Sequence, residues 1–522
     1  MVLNEQEKAD LHKTIWKIAN DLRGSVDGWD FKQYVLGMLF YRFISEKLIN
    51  DVNTHQHKSG EEDFDFTTLG DEDAELARKE FVQDDGFYIL PSELFSNIRK
   101  KAKNNDDLNE TLETIFKNIE NSAKGTNSEE SLKGLFDDFD FNSNKLGSNI
   151  EKRNKLLIKL LDSIGDLNLG NFKDHSIDTF GDTYEFLLKM YASSAGKSGG
   201  EFFTPQEVSE LLAKITTVGK KKINKVYDPA CGSGSLLLKF NKILGEGKVS
   251  GFYGQEINIS TFNLCRMNMY LHNINYENFD ITHGDTLINP KQQGFEPFDA
   301  IVSNPPYSIN WEGDDNPLLI NDERFKPAGV LAPKSKADLA FVMHILHSLA
   351  NDGTAAIVEF PGVLYRGGAE GKIRKYLIDN NFVDCVIQLP SNLFFGTSIA
   401  TCIIVLKKDK QDDNVLFIDA SDEFEVDGNK NKLNSEHQDK ILNKFIERID
   451  TNETEYISKL VSKKDISSND YNIAVSSYVE KEDLREKVNI KKLNLEISDC
   501  VKVQNELKKS IDKIVKELEG EK

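Results

Sequence analysis

Ten residues, Phe298 to Tyr307, read Phe-Asp-Ala-Ile-Val-Ser-Asn-Pro-Pro-Tyr, an apolar run that stops in one amide, two prolines and a phenol. Pro305 and Pro306 fix their own φ angles and remove two backbone N–H donors. The side-chain carbonyl of Asn304 and the main-chain carbonyl of Pro305 are then left as acceptors, and the Tyr307 ring offers a flat face for stacking. This set suits a planar exocyclic NH2 group. Conjugation makes such an amine a poor nucleophile, and two acceptors holding its hydrogens favour the pyramidal form that can attack a methyl sulfonium. No strong base is needed beforehand.

About 70 residues upstream, Tyr227-Asp228-Pro229-Ala230-Cys231-Gly232-Ser233-Gly234-Ser235 follows a short apolar run and opens a helix near Leu236. Its glycines permit a sharp turn and close approach of backbone to a ligand. The third glycine of a dinucleotide fingerprint is missing. An acid at the mouth of the loop, Asp228, suits a ligand with an ammonium or hydroxyls better than a pyrophosphate, which favours S-adenosylmethionine over NAD. The next such run ends at Glu256, where a carboxylate can accept from two ribose hydroxyls. A third ends in His283-Gly284-Asp285, and Asp285 can accept from an adenine amino group. Any one of these acids alone reads as a solvated loop residue; three ending three successive runs do not.

These groups need elements that hold them at one end of a sheet. From about Gly181 short β-rich runs alternate with helical stretches: Val226-Tyr227, Phe252 to Gly254, Ile281 to His283, Ala300 to Val302, Thr354 to Phe360, Phe382 to Leu389 and Thr401 to Leu406. That alternation predicts an α/β fold with a mostly parallel, doubly wound Rossmann-like sheet, whose ligands lie beyond the carboxyl ends of its strands. Before it, apolar residues at helical spacing (Ile15, Ile18, Leu22, Tyr34, Val35, Met38, Leu39, Phe43) predict a mostly α domain. The expected division is 1–170, a helical N-terminal domain; 171–410, the catalytic domain; and 411–522, a lysine-rich helical C-terminal region. The last region closes in a stripe of Leu507, Ile511, Ile514 and Leu518 that suits its own domain or a partner helix.

The 522 residues are 39% hydrophobic and 29% charged, a globular composition that excludes wholesale disorder and fibrous rods. The longest apolar stretches fall far short of the roughly 20 residues that cross a bilayer. The opening MVLNEQEKADLHKT mixes acids and bases where a secretory signal has a basic tip and an apolar run. Five scattered cysteines, none in C-x-x-C, argue against a disulfide framework or a zinc site. His344 and His347 lack a carboxylate-rich surround and read as surface or core histidines, so no metal is expected. A cytoplasmic protein without membrane contact is expected. With 86 acids against 65 bases the net charge is −21, so any grip on nucleic acid must be local or shared.

Asn304-Pro305-Pro306-Tyr307 together with Asp228 to Ser235 resembles the amino methyltransferases. With Gly200-Glu201-Phe202-Phe203-Thr204-Pro205 upstream, the chain resembles the adenine-N6 DNA methyltransferase subunit of type I restriction-modification systems over most of its length. The resemblance implies that Glu201, Phe202, Phe203, Thr204, Pro205 and Gln206 contact the methionine end of S-adenosylmethionine. By the same resemblance Gly232, Ser233, Gly234 and Ser235 border the cofactor, Glu256 holds its ribose and Asp285 faces its adenine. Further similarity lies in Lys336 to Phe341 and in Leu389 to Thr397. An enzyme acting on a base inside a duplex must flip it out and stack it, and Tyr307 and Phe394 are the candidates, although Phe394 or Phe395 suits the core better than the stack.

The implied partners are double-stranded DNA, a separate specificity subunit that reads the sequence, a second copy of this chain flanking that subunit, and a restriction subunit in the full complex. The stripe from Leu507 to Leu518 would face the specificity subunit. Between the cofactor loop and the tetrapeptide there is no room for a target-reading domain, which fits a reader in another chain. Ala195-Gly196-Lys197-Ser198 has the tail of a phosphate loop, but Tyr191 stands where its first glycine should be, so no ATP motor is expected. Three other readings stay open on the residues alone: a protein glutamine N5-methyltransferase, a solitary nucleic-acid adenine methyltransferase, and an assembly module with a degenerate methyltransferase fold.

Overall fold

A computed structural model describes residues 13–14, 30–169, 176–194, 204–292, 297–480 and 490–520. Helix α1 (Asp30–Lys58) buries Tyr34, Val35, Met38, Leu39 and Phe43, the residues whose spacing predicts it. Ile15, Ile18 and Leu22 lie outside the described residues. On α2 (Leu108–Ser122) the buried stripe is Leu108, Leu112, Ile115, Phe116 and Ile119, and on α3 (Ile150–Gly165) it is Leu157, Leu160, Leu161 and Ile164. Spacings of three and four put each set on one helix face. Asn149 starts α3 by accepting from the backbone N–H of Lys152. Phe116 joins the helices through rings at 4.4 Å (Phe136), 5.1 Å (Phe141) and 5.3 Å (Tyr41). Helix α4 (Ser176–Ser194) then leads toward the sheet.

The sheet has nine strands: β1 (Ile223–Asp228), β2 (Val249–Glu256), β3 (Phe279–His283), β4 (Phe298–Ser303), β5 (Leu349–Glu359), β6 (Val383–Gln388), β7 (Cys402–Lys407), β8 (Asn414–Asp419) and β11 (Ser458–Ser462). A separate hairpin pairs β9 (Glu425–Asp427) with β10 (Lys430–Lys432). Across the sheet the order is β11-β8-β6-β7-β5-β4-β1-β2-β3. From β3 through β2, β1 and β4 to β5 every pairing is parallel, whereas β7 runs antiparallel between β5 and β6. All seven runs expected from sequence are strands of this sheet.

Strand residues alternate between two cores. On β7, Ile403 and Val405 join the core under α5 (Gln206–Thr216), α6 (Ser235–Leu244) and α7 (Ile259–Leu271), while Cys402, Ile404 and Leu406 join the core under α8 (Asp338–Ser348) and α9 (Gly368–Asp379). The sheet is therefore doubly wound. The first core is continuous with that of the N-terminal helices, and a buried arginine fastens the junction. Arg266 on α7 donates to the carbonyls of Glu130, Ser131 and Lys133 at 3.2, 3.3 and 3.0 Å, and to Asn263 Oδ1 at 2.6 Å. Asp138 accepts from Ser260 Oγ at 2.9 Å and Asn263 Nδ2 at 3.0 Å.

The region from residue 411 is not wholly helical. Val415-Leu416-Phe417-Ile418 of β8 is buried and pairs parallel to β6, and β11 closes the edge antiparallel to β8. Four consecutive apolar residues buried on both faces suit an interior strand, whereas on β11 only Ser458 and Val461 are buried, as suits an edge strand. Helix α10 (Ser435–Glu447) lies between them in sequence and buries Ile441 and Phe445. The chain divides into two units, Met1–Val479 and Glu480–Lys522. In the second, α11 (Ile490–Glu519) exposes every residue. Ile490, Leu493, Ile497, Cys500, Gln504, Leu507, Ile511, Ile514 and Leu518 alternate by three and four along it, a seam about twice as long as the expected stripe. Among the described residues no helix is long and apolar enough to cross a membrane.

Candidate active site

Connections leave the sheet in opposite directions from β1 and β4, and the gap between such neighbours is where a doubly wound sheet admits a ligand. The candidate residues stand around it. Asp228 ends β1, Glu256 ends β2, Asp285 follows β3 by two residues, and Asn304 follows the last residue of β4.

Asp228 is buried and accepts from the backbone N–H of Ala230 at 3.0 Å and from Ser303 Oγ at 2.8 Å. Burial pushes its carboxyl up to about 7, against the pull of those two hydrogen bonds. The loop after it turns through Gly232 (φ 54°) and Gly234 (φ 83°), both in the left-handed region. A Cβ on Gly234 would fall 2.7 Å from Met269 Cε and 2.8 Å from Cys265 Sγ, so α7 packs against the bare glycine. Asn268 Nδ2 on α7 also donates to the Ser233 carbonyl at 2.9 Å, and the Ser233 and Ser235 hydroxyls lie 3.2 Å apart. Glu256 straddles the loop, accepting from Gly232 N at 3.0 Å and Asn258 N at 2.8 Å. Burial raises its carboxyl, opposed by these N–H groups. Asp285 accepts from Leu287 N at 2.8 Å and Ile288 N at 3.3 Å, which closes a tight turn after β3.

Across the gap, Asn304 Nδ2 donates to Thr204 Oγ1 at 3.0 Å, and the Tyr307 hydroxyl donates to Asn304 Oδ1. An amide oxygen has two lone pairs, so Asn304 Oδ1 keeps one for another donor. Ser308 sits at φ 51°, and its N–H donates to Asp338 Oδ1 at 3.0 Å, so the first residue of α8 pins the end of the tetrapeptide. Pro205 precedes α5 and its carbonyl accepts from Ser209 N at 3.0 Å; Gln206 begins that helix, half-buried. Glu201, Phe202 and Phe203 lie outside the described residues, as does Ala195 to Ser198.

Of the two aromatic candidates, Phe394 takes the core place that its sequence favours. Tyr307 stacks on Phe360, with ring centroids 4.1 Å apart and planes at 20°. Phe394 is buried in the core and meets Tyr307 edge-on, at 6.4 Å and 84°. At that angle Phe394 presents no face parallel to Tyr307. Phe360 was not singled out from sequence, yet it follows β5 as Asn304 follows β4, and that position is its signal.

Two buried charged groups, Glu359 and Arg324, were also missed. Glu359 ends β5 with neither carboxylate oxygen hydrogen-bonded, and burial, with Asp338 and Glu370 nearby, holds it well above the usual carboxylate range. Arg324 donates to the carbonyls of Thr286 and Leu287 at 2.9 and 2.8 Å and to Asp322 Oδ2 at 2.8 Å. It ties the segment after the tetrapeptide to the turn after β3. His344, read as a surface or core histidine, is buried between Tyr227 OH (3.0 Å) and Arg324 (3.2 Å), and burial holds it down to about 3. Among the described residues no cluster of His, Cys, Asp or Glu could hold a metal ion.

The strand order, the reversed β7 and the acids at the strand ends define the fold of the S-adenosylmethionine-dependent methyltransferases. Residues 175–487 match the N-6 DNA methylase family model, and residues 11–164 match the HsdM N-terminal domain. The chain is 48% identical to the type I restriction enzyme MpnII methylase subunit of Mycoplasma pneumoniae over 98% of its own length and 97% of the relative's. It is 32% identical to the MjaVIII methylase subunit of Methanocaldococcus jannaschii over 86% of this chain and 75% of that one. The crystal structure of a type I restriction-modification methyltransferase subunit from Streptococcus thermophilus superposes with a TM-score of 0.82 at 36% identity, covering 90% of this chain and 99% of that one. The chain belongs to the N-6 DNA methylases, as a methylase subunit of a type I restriction-modification system. That family, rather than the glutamine methyltransferases, accounts for both the helical domain and the sheet.

A carboxyl raised to about 7 is mostly protonated below that pH and ionised above it, and only the ionised form attracts a cation. Affinity for S-adenosylhomocysteine, which carries an ammonium, should therefore rise from about pH 6 to about pH 8 in isothermal titration. Asp228→Asn should bind more weakly and lose that rise.

Proposed function

We propose that this chain transfers a methyl group from S-adenosylmethionine to N6 of an adenine flipped out of double-stranded DNA, at a sequence read by a separate specificity subunit. The observation that carries the reading is the Asn304-Pro305-Pro306-Tyr307 loop at the end of β4, hydrogen-bonded through Ser303 to Asp228 at the end of β1.

The residues present fit the cofactor: a buried acid at the mouth of a glycine turn, a second acid bridging that turn to β2, and a third closing the turn after β3. Asp228, Gly232, Ser233, Gly234, Ser235, Glu256 and Asp285, with Glu201 to Gln206, would hold it. When bound it supplies an electrophilic methyl on sulfur. Asn304 Oδ1 and the Pro305 carbonyl accept the two N6 hydrogens of the target, which draws the nitrogen lone pair out of conjugation. Asn304 is itself oriented by Thr204, and Tyr307, backed by Phe360, presents its other face to the base. Burial keeps the Tyr307 hydroxyl protonated, so it acts as a donor and not as a base.

In this reading residues 1–170 form the helical domain that supports α7, the catalytic domain runs from about 171 through β11, and α11 serves assembly. With a net charge of −21, the chain shares its DNA contacts with the specificity subunit, a second copy of itself and, in the full complex, a restriction subunit. The exposed seam of α11, with Gln504 breaking an otherwise apolar line, suits helices of the specificity subunit.

Asn304→Ala should leave complex assembly and cofactor binding intact while lowering methyl transfer on the order of 10²-fold or more, because one acceptor of the transition state is lost. Single-turnover transfer of labelled methyl to DNA measures this. Deleting Asn505 to Lys522 should weaken co-purification of the specificity subunit while sparing cofactor binding; undiminished co-purification would remove α11 from assembly.

A further inference from the structure

The segment from Leu389 to Ile399 carries Phe394 against the edge of Tyr307, yet between β6 and β7 it has no strand or helix of its own. Within it, Asn392 N donates to the Ser398 carbonyl at 3.2 Å, and Asn392 and Gly396 both take positive φ. What holds it from outside is the β9–β10 hairpin. Lys430 Nζ donates to Asn392 Oδ1 at 3.0 Å, to the Phe394 carbonyl at 2.7 Å and to the Thr397 carbonyl at 3.2 Å. An ammonium has three donors, and here all three are spent on one loop. Burial lowers this lysine from its ordinary value, as expected for a cation drawn from water into a ring of carbonyls. The backbone N–H of Asn431 donates to the Asn392 carbonyl at 3.1 Å and Asn431 Nδ2 to the Ser391 carbonyl at 2.8 Å, while Asn392 Nδ2 returns a bond to the Asn429 carbonyl at 2.8 Å.

We propose that Lys430 is a positioning residue for methyl transfer: through its three hydrogen bonds the hairpin holds the Phe394 loop against Tyr307 and so fixes one wall of the pocket that receives the flipped base. This rests on the function proposed above. Lys430 touches neither base nor cofactor; it acts through the Phe394 and Thr397 carbonyls, which bracket Phe395 and Gly396. A neutral side chain at 430 leaves the core and the cofactor loop unchanged and lets the loop shift by up to about 1 Å. Misplacement on that scale can cost on the order of 10²-fold in rate when the reacting groups must meet in one geometry.

The test uses the complex of this chain with its specificity subunit and a duplex carrying 2-aminopurine at the target adenine, whose fluorescence rises when the base leaves the stack and falls when it is pressed against an aromatic ring. Lys430→Met should assemble normally, bind S-adenosylhomocysteine normally and lose on the order of 10- to 100-fold in single-turnover methylation of unmodified DNA. The 2-aminopurine signal of that variant should differ from wild type, reporting a base held in an altered pocket. Lys430→Arg, which restores a cation with several donors, should recover part of both. Asn431→Ala, which removes the bond to Ser391, should show the same pattern on a smaller scale and replaces Lys430→Met if that variant does not fold. A wild-type rate, or a lowered rate with wild-type fluorescence, overturns the positioning role. A wild-type complex that neither methylates DNA nor changes the probe's fluorescence overturns the function on which the role rests, and the role with it.

Discussion

A hydrogen bond of 2.8 Å from Ser303 Oγ to Asp228 Oδ1 joins the carboxyl ends of β4 and β1 at the point where the sheet's connections diverge. On one side of it lies the glycine turn; on the other lies the Asn-Pro-Pro-Tyr loop. A methyl can pass between two ligands only if the loops that hold them keep a fixed separation, and this bond, with the parallel pairing of β1 and β4, ties those loops together. Asp228 is buried there at the cost of desolvation, and its carboxyl is raised to about 7 as a result. Acids in such places mark functional sites more often than they mark stable cores.

Support for that junction comes from the packing around its loops. Arg266 holds the N-terminal helices to α7, α7 packs against Gly234 of the cofactor turn, and Arg324 draws the segment beyond Tyr307 back to the turn after β3. Each is a buried guanidinium or a bare glycine, and each converts a loop into a fixed surface. The hairpin with Lys430 does the same for the loop of Phe394. Acidity elsewhere is then no obstacle to acting on DNA, because the chemistry needs a rigid pocket and the grip on phosphates can come from other chains.

The strands β1 to β6 were legible because each is a short apolar run closed by Asp, Glu, Asn, Gly or Pro, and β7 because its apolar run stops at Lys407-Lys408. The acids and the tetrapeptide were legible for the same reason, since they stand where those runs stop. Strands β8 and β11 were not: Val415 to Ile418 is an apolar run of the same kind, but it is embedded among aspartates and lysines that set the helical expectation for the whole region. Phe360 stands at the end of a run read as strand, and Phe394 is a candidate because a flipped base needs an aromatic face, although its sequence favours the core it occupies. Arg324 and Lys430 stand in polar stretches that give no signal of their partners, and Glu359 is one acid at the end of an apolar strand run. A charged residue in a polar stretch reads as solvated, and only tertiary packing gives Lys430 its three carbonyl partners. The seam of α11 was half seen, because Gln504 interrupts the apolar pattern that defines it.

The central claim is that the pocket at the ends of β1 and β4 methylates adenine in DNA at a site chosen by another chain. The most direct measurement is mass spectrometry of N6-methyladenine in DNA from a methylation-free host that expresses this chain alone or together with its specificity subunit. N6-methyladenine only in the paired expression is the predicted result. The modified base in DNA from the chain alone would contradict it by showing a target surface on this chain, and no modified base in either case would contradict the chemistry assigned to Asn304.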